Sequence, residues 1–372
     1  QTNVRSIVSR IVHIHKNLQG GISFWGKYLL SKEEVEEDLS LLNSGKEFFE
    51  TVAGYKTPGT FKNFRYDLND IQNFGKTIRV LNDLGALQDF VHEFSQIVGW
   101  LSTAKQVLPE NHEWVSKMDS TRDKILLKLA NTDPSKIKKQ TREISLELEG
   151  LKKDYISLYL GLHKRARLDN SGDNIKKSLV KDPRYKTLQK LSEIPLMPIQ
   201  QLKEYQVDLG NLVSCFDLTE QKLENDPVCP ICGFRPSTEP RSSASAEVIL
   251  KNLKEDRLNW ILENWVSSIL KNLNDPVTHK NLELISIENR QRIETFLQSG
   301  DLPNPLDSEF ADVLKEALSG LEKVPVRIKD LQEVLFSNGE PATPDEMKKR
   351  FEDYMQNLTK GKDPAKVRFV VE

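Results

Sequence analysis

The sequence predicts a mainly α-helical protein: an elongated multi-helix bundle with a helical hairpin tipped by a Cys-x-x-Cys knuckle and a minor C-terminal β element. Three observations support this fold class. Apolar residues recur at spacings of three and four through most of the 372 residues, which is the period of a helix. Ser, Thr and Asp stand where several of these runs begin, as N-cap residues do. One short run, residues 367–371, has a clear strand pattern.

The first part of the chain is predicted to be helical over four stretches. They are residues 3–19, 31–52, 67–107 and 112–130. Ser31 precedes an acidic first turn, which suits the helix dipole. The long stretch 67–107 is expected to break near one of three glycines, Gly75, Gly85 or Gly99.

A further helix is predicted to start at Asp133 and Pro134, an N-cap followed by proline at the first helical position. Its apolar positions alternate steps of four and three, which is a heptad seam. The seam residues are Ile137, Ile144, Leu148, Leu151, Tyr155, Leu158 and Leu162, with Thr141 at the position between the first two. We expect this helix to pack inside its own chain, because it has fewer than five heptads and lacks matched flanking charges.

Beyond residue 170, helices are predicted over 183–193, 198–224 and 244–273, with the Cys-x-x-Cys knuckle between the last two. Thr343 and Glu346 form a capping box that opens a helix to about Leu358. A weak second strand, 324–328, is expected to pair with 367–371. Loops are predicted at 53–66, 168–183, 226–243, 300–307 and 337–343.

These elements predict three segments. They are an N-terminal helical body over 1–170, a helical hairpin with the knuckle over 171–300, and a C-terminal helical segment with a short strand over 301–372.

Composition indicates a cytoplasmic protein. The net charge of −2 creates no global field toward nucleic acid or membrane, and no apolar run approaches the roughly 20 residues that span a bilayer. Three cysteines in 372 residues, without an even-numbered framework, favour a reducing compartment. No signal peptide is visible and the first residue is Gln, so we expect a piece of a longer protein.

The most informative motif is Cys229 and Cys232, two thiols separated by two residues and followed by Gly233. Such a knuckle turns both sulfurs toward one tetrahedral ion, and zinc is the structural metal that we expect there. A structural zinc needs four ligands, and no second Cys-x-x-Cys exists in the chain. Other residues complete the site, a second molecule completes it, or the motif is a metal-free turn. A redox dithiol is a further alternative, but the βαβ context that it needs is missing.

A site within one chain would need Cys215 and one more ligand, for which His163 and His279 are the candidates. Cys215 itself is predicted to be a core residue, since a free cysteine behaves as a small buried hydrophobe. A helix, a Cys-Pro-x-Cys-Gly loop and a returning helix also resemble the zinc hook of long coiled-coil ATPases. In those proteins two chains share one zinc, so the resemblance implies dimerisation at the hairpin tip.

A basic cluster, Lys164, Arg165 and Arg167, lies at a predicted helix C-terminus. It is interpreted first as compensation of the helix dipole and alternatively as a nucleic-acid contact.

The sequence contains no Walker A, glycine-rich phosphate, His-Glu-x-x-His or Gly-x-Ser-x-Gly motif. No catalytic residue and no small-molecule substrate is therefore assigned, and we expect no enzyme in this chain.

Four strings together resemble one family. They are Tyr55 to Gly59 leading to Asn63 to Tyr66, then Leu101 to Ala104 with Val107 to Pro109, then Cys229 to Pro236, and Gly361 to Pro364 before Val367 and Arg368. The chain looks like the C-terminal, non-ATPase helical region of the large P-loop ATPases of bacteriophage-exclusion (BREX and Pgl) defence systems. The resemblance implies a prokaryotic cytoplasmic protein whose ATP-binding module lies upstream, and no ATP-binding residue carries over.

We therefore expect a non-catalytic scaffold or interaction region of an anti-phage defence ATPase, with Cys229 and Cys232 binding a structural zinc. Expected partners are other defence-system subunits, a second copy of the chain, or DNA, but not a membrane. The alternatives are a nucleic-acid-binding module that uses Lys164, Arg165 and Arg167, and a hook-like dimerisation hairpin.

Overall fold

A computed structural model describes residues 2–18, 20–55, 68–239, 242–336 and 342–371, and its fold is mainly α, as predicted. Up to residue 166, the elements are α1 (Thr2–Asn17), β1 (Ile22–Phe24), β2 (Lys27–Leu30), α2 (Lys32–Gly54), α3 (Leu68–Val107), α4 (Glu113–Ala130), a 3-10 helix (Pro134–Lys139) and α5 (Thr141–Ala166).

The later elements are likewise mostly helical. They are α6 (Asn170–Leu179), α7 (Pro183–Leu191), α8 (Ile199–Asn211), α9 (Glu220–Asn225), α10 (Ala246–Asn252), a π-helical turn (Leu253–Arg257), α11 (Leu258–Leu273), α12 (Pro276–Leu282), α13 (Ile287–Ser299), α14 (Ser308–Ala317), β3 (Glu322–Val326), α15 (Ile328–Leu335), α16 (Pro344–Thr359) and β4 (Val367–Val371).

The chain folds as two compact units, and each is discontinuous in sequence. Unit 1 comprises residues 1–163 and 217–241, and unit 2 comprises 164–216 and 242–372. This division differs from the three consecutive segments predicted above. In particular, the knuckle belongs to unit 1 with the N-terminal helices, rather than to the residues on either side of it in the sequence.

Unit 1 contains a β-hairpin after α1 that the sequence pattern did not indicate, because its strands are only three and four residues long. β1 and β2 are antiparallel, and Phe24 pairs with Lys27 across a two-residue turn. Both turn residues, Trp25 and Gly26, have positive φ, at 51° and 80°. Two positive φ angles match the right-handed twist of the flanking strands, although a tryptophan rarely adopts one.

The helix α3 runs for 40 residues without the break expected near a glycine. Tertiary packing outweighs the weak helix propensity of Gly75, Gly85 and Gly99. A different glycine, Gly45 of α2, is required by its surroundings: a Cβ there would lie 2.4 Å from the Thr77 side chain of α3. The two helices therefore approach each other closely at this point.

The predicted helix after Asp133 is confirmed in type but not in its start. Asp133 caps the 3-10 helix, and α5 begins only at Thr141. The predicted seam is buried from Ile144 to Tyr155, and then the buried positions move to Tyr159 and His163, while Leu158 and Leu162 are only half-buried. A straight α-helix has 3.6 residues per turn and drifts off a strict heptad, which explains the shift.

The predicted helix 198–224 was wrong in extent. α8 ends at Asn211 directly after Gly210, and both are helix-stop residues. Residues 212–219 are not helical, and only the six residues of α9 follow. The predicted hairpin therefore lacks its long upstream arm. The downstream arm is confirmed: residues 246–273 are helical throughout, with a π-helical turn at 253–257.

The predicted loop 168–183 was also wrong, because it contains α6, whose N-cap Asp169 accepts a hydrogen bond from the Gly172 N–H.

Unit 2 is built around a continuous apolar core in which α11 is central, since Leu258, Ile261, Trp265 and Ile269 are each fully buried. The Trp265 indole also donates to the Gln201 side chain at 3.1 Å, which ties α11 to α8.

The C-terminal elements agree with their predictions. Thr343 and Glu346 form the expected capping box of α16. β3 and β4 pair in parallel with Val324 opposite Phe369.

The predicted loop 53–66 lies mostly outside the described residues, as do the string Lys56 to Gly59 and the string Asn63 to Tyr66. Among the described helices, none is long and apolar enough to cross a membrane.

Candidate metal centre

Helix α5 presents one buried stripe toward the knuckle. Tyr155, Tyr159 and His163 are spaced by four residues and so lie on one face of the helix. All three are buried, with His163 exposing 4% of its surface. The Tyr155 and Tyr159 rings stack with centroids 5.7 Å apart, and the knuckle residue Phe234 meets the His163 ring edge to face at 5.9 Å. The His163 ring is therefore packed between aromatic side chains.

The knuckle itself is a tight turn in residues 226–234. The Asp226 carboxylate accepts a hydrogen bond from the Val228 N–H at 2.9 Å and opens the turn. The Gly233 N–H then donates to the Cys229 carbonyl at 2.9 Å and closes it. Gly233 has φ of +64°, in the left-handed region that glycine adopts without strain. The glycine after the second thiol therefore allows the turn to close, as expected from the motif.

Two tyrosine hydroxyls attach this turn to α5. The Tyr159 hydroxyl accepts from the Cys229 N–H at 2.9 Å and donates to the Phe234 carbonyl at 2.6 Å. The Tyr155 hydroxyl donates to the Pro227 carbonyl at 2.8 Å. Burial raises the pKa of Tyr155, so its phenol keeps the proton that this hydrogen bond requires.

Cys215 is brought to the end of α5 by a short extended segment. The Leu168 N–H donates to the Val213 carbonyl, and the Cys215 N–H donates to the Leu168 carbonyl, both at 3.0 Å. This parallel bridge lies five residues after His163 in the chain. Beyond the helix-stop residues of α8, this pairing keeps residues 213–215 out of a helix, since their hydrogen-bond partners lie on Leu168.

Four side chains converge as a result. One potential ligand atom from each of His163, Cys215, Cys229 and Cys232 lies within 4.8 Å of all the others. Cys232 Sγ lies 3.3 Å from His163 Nε2. Two sulfurs on a tetrahedral zinc with Zn–S bonds of about 2.3 Å lie about 3.8 Å apart, so the cluster needs only a small contraction to bind a metal ion.

The sequence predicted half of this set directly. Cys229 and Cys232 are members, as expected, and His163 rather than His279 is the histidine. His279 is exposed on α12 and is not part of the cluster. Cys215 is buried, as predicted, but it also joins the cluster, which the core interpretation missed. The sequence named Cys215 only as the cysteine that a site within one chain would need, and the long-range pairing with Leu168 places it there.

The predicted basic cluster does not form one exposed surface. Lys164 and Arg165 are exposed, whereas Arg167 is buried and exposes 7% of its surface. Arg165 donates to the Ser243 carbonyl at 2.5 Å. Among these three cations, Lys164 and Arg165 are therefore the ones that present charge to solvent.

Unit 1 also contains an open cleft of about 1210 Å³ beside the β-hairpin, lined among others by Trp25, Gly99 and Met118. Its cations, Lys105 and Arg122, both pair with Asp119, at 2.8 Å and 3.3 Å. Glu110 is the one carboxylate among the described lining residues, so the cleft does not bring carboxylates together as acid–base catalysis by paired acids would require.

Two segments of the chain match consecutive domains of one family. Residues 1–163 match the 5th domain and residues 171–264 the 6th domain of a family of unknown function (DUF6079). The two matches together cover more than two thirds of the chain. No curated protein and no solved structure matches the chain.

Proposed function

We propose that His163, Cys215, Cys229 and Cys232 bind one structural zinc ion, and that the chain is a non-catalytic interaction region of a large prokaryotic anti-phage defence ATPase. The observation that carries the zinc proposal is the convergence of four ligand atoms within 4.8 Å. Three thiolates and one imidazole are an established ligand set for structural zinc.

A structural role is favoured over a catalytic one by the ligand count. A catalytic zinc keeps one position open for water or substrate, whereas four protein ligands fill a tetrahedral ion. Burial supports the same conclusion, because His163, Cys215 and Cys229 are buried and only Cys232 is partly exposed. The ion would join the end of α5 to the knuckle and to residue 215.

The same geometry favours a site within one chain over a hook shared by two chains. A hook needs its thiols exposed at a tip, whereas Cys229 exposes 1% of its surface and is held against α5 by the Tyr159 hydroxyl. His163 and Cys215 supply the ligands that a second chain would otherwise provide.

The defence role rests on the four strings that resemble the BREX and Pgl ATPases. The family matches are compatible with it, since a fifth and a sixth domain indicate relatives of many domains. In such a protein a rigid helical region with a closed metal centre would serve assembly. Co-purification of other defence-system subunits with the ATPase that contains this chain, lost when His163 and Cys229 are replaced, would support this role. Retention of every subunit would contradict it.

Native mass spectrometry of the purified chain tests the metal site. We expect one zinc per monomer, released when a chelator is added at low pH, because thiolate ligands must be deprotonated to bind. One zinc per two chains would replace the intrachain site with a shared one. A metal-free monomer that also fails to take up added zinc would contradict the proposal.

A further inference from the structure

We propose that Tyr159 is a positioning residue of this centre: its hydroxyl holds the knuckle in the shape that binds metal before the metal arrives. The inference rests on the proposed metal site. It concerns a residue that is not a ligand and that the Cys-x-x-Cys pattern does not indicate.

The hydroxyl spans the knuckle. It accepts from the Cys229 N–H at 2.9 Å and donates to the Phe234 carbonyl at 2.6 Å, so one oxygen binds the backbone at the first thiol and just beyond the second. Cys232 lies between these two anchor points. The Tyr159 side chain therefore sets the distance between the Cys229 and Phe234 backbones. The Gly233–Cys229 hydrogen bond that closes the turn lies between these two contacts.

Tyr159 is also coupled to a ligand through its helix. His163 follows Tyr159 by four residues on the same face of α5, so the two side chains are neighbours one helical turn apart. The hydroxyl that orients the thiols and the imidazole that completes the set thus belong to one rigid element. Outer residues that orient metal ligands typically contribute tenfold to a hundredfold to metal affinity.

The packing of Tyr159 is separable from its hydrogen bonds. The ring contacts Tyr155 at 5.7 Å and Phe234 at 5.8 Å between centroids, and phenylalanine would keep both contacts. Tyr155 offers a matched control: it is equally buried on the same helix and also donates to a backbone carbonyl, that of Pro227, outside the Cys229–Phe234 turn. Each Tyr→Phe change removes one buried hydroxyl, but only Tyr159→Phe removes the hydrogen bonds at Cys229 and Phe234, on either side of Cys232.

The test is a competition titration of zinc and of cobalt(II) against a chelator for the wild-type chain, Tyr159→Phe and Tyr155→Phe. We expect Tyr159→Phe to weaken the binding of both metals by about tenfold to a hundredfold, and Tyr155→Phe to weaken it less, because Pro227 lies before the first thiol. Cobalt(II) adds a readout that stability alone would not change. Its visible absorption reports tetrahedral thiolate coordination, and we expect it to be altered in Tyr159→Phe.

The outcomes separate the two proposals. A wild-type chain that binds neither metal would overturn the metal site itself. If the wild type binds and Tyr159→Phe binds equally well with the same cobalt spectrum, the metal site stands and the positioning role is wrong. Equal weakening by both variants would also overturn the positioning role, because it would assign the effect to the loss of any buried hydroxyl near the knuckle.

Discussion

Replacing His163 by Gln is expected to release the metal ion, whereas replacing His279 by Gln is expected to leave it bound. His163 is buried with Nε2 3.3 Å from Cys232 Sγ, and His279 is exposed on α12. Glutamine has a similar size but no imidazole nitrogen, so it removes the ligand with little change in volume. If free metal is present at about a thousand times its Kd, binding stabilises the folded chain by about 4 kcal/mol, which His163→Gln should largely remove.

Thermal unfolding with and without a chelator measures this effect. The wild type and His279→Gln should lose stability when the chelator is added, and His163→Gln should already be at the lower value and not respond. The ligand assignment is wrong if His163→Gln keeps stoichiometric metal. It is also wrong if His279→Gln loses the metal.

Replacing Trp265 by Ala is expected to cost about 3–5 kcal/mol of folding free energy, as other large-to-small changes at fully buried aromatic residues do. Trp265 is completely buried in the core of unit 2, and its indole donates to Gln201 at 3.1 Å. The change creates a cavity and leaves the Gln201 side chain without that partner.

Trp260 provides the control on the same helix, since it is 45% exposed and packs against the Arg257 guanidinium 5.0 Å above its ring. Trp260→Ala should cost less than about 1 kcal/mol, the usual size of an exposed cation–π contact. Urea denaturation followed by circular dichroism compares the two variants. Similar midpoints for both would show that α11 is not the centre of this core.

The sequence predicted helices well where one face is buried over many turns. α1, α2, α4 and the 246–273 helix lie close to their predicted positions because caps and apolar spacing agree there. It failed where long-range partners decide. Residues 213–215 carry helical spacing, yet they pair with Leu168 and leave the helix. The unbroken α3 was missed because tertiary contacts outweigh local preference, and the β1–β2 hairpin because its strands are only three and four residues long. The helix within 168–183 was missed although Asp169 caps it.

The sequence likewise predicted only the local part of the candidate site. Cys229 and Cys232 are visible as a motif because the turn between them is local. His163 was one of two candidates, and only the drift of the buried stripe on α5 places it beside the knuckle. Tyr159 gave no signal, because a buried tyrosine on an apolar face is ordinary in a sequence. Its role depends on a backbone segment 70 residues further along the chain.

That separation has a consequence for how the chain can be divided. The family matches end the first domain at residue 163 and place all three cysteines in the second, but residues 217–241 pack with the first. A polypeptide of residues 1–163 would carry Tyr155, Tyr159 and His163 without the knuckle residues that contact them. A polypeptide of residues 171–264 would carry three cysteines without the histidine. Because residues 217–241 belong to unit 1, the contacts of this unit cannot be completed during synthesis until the knuckle has been made.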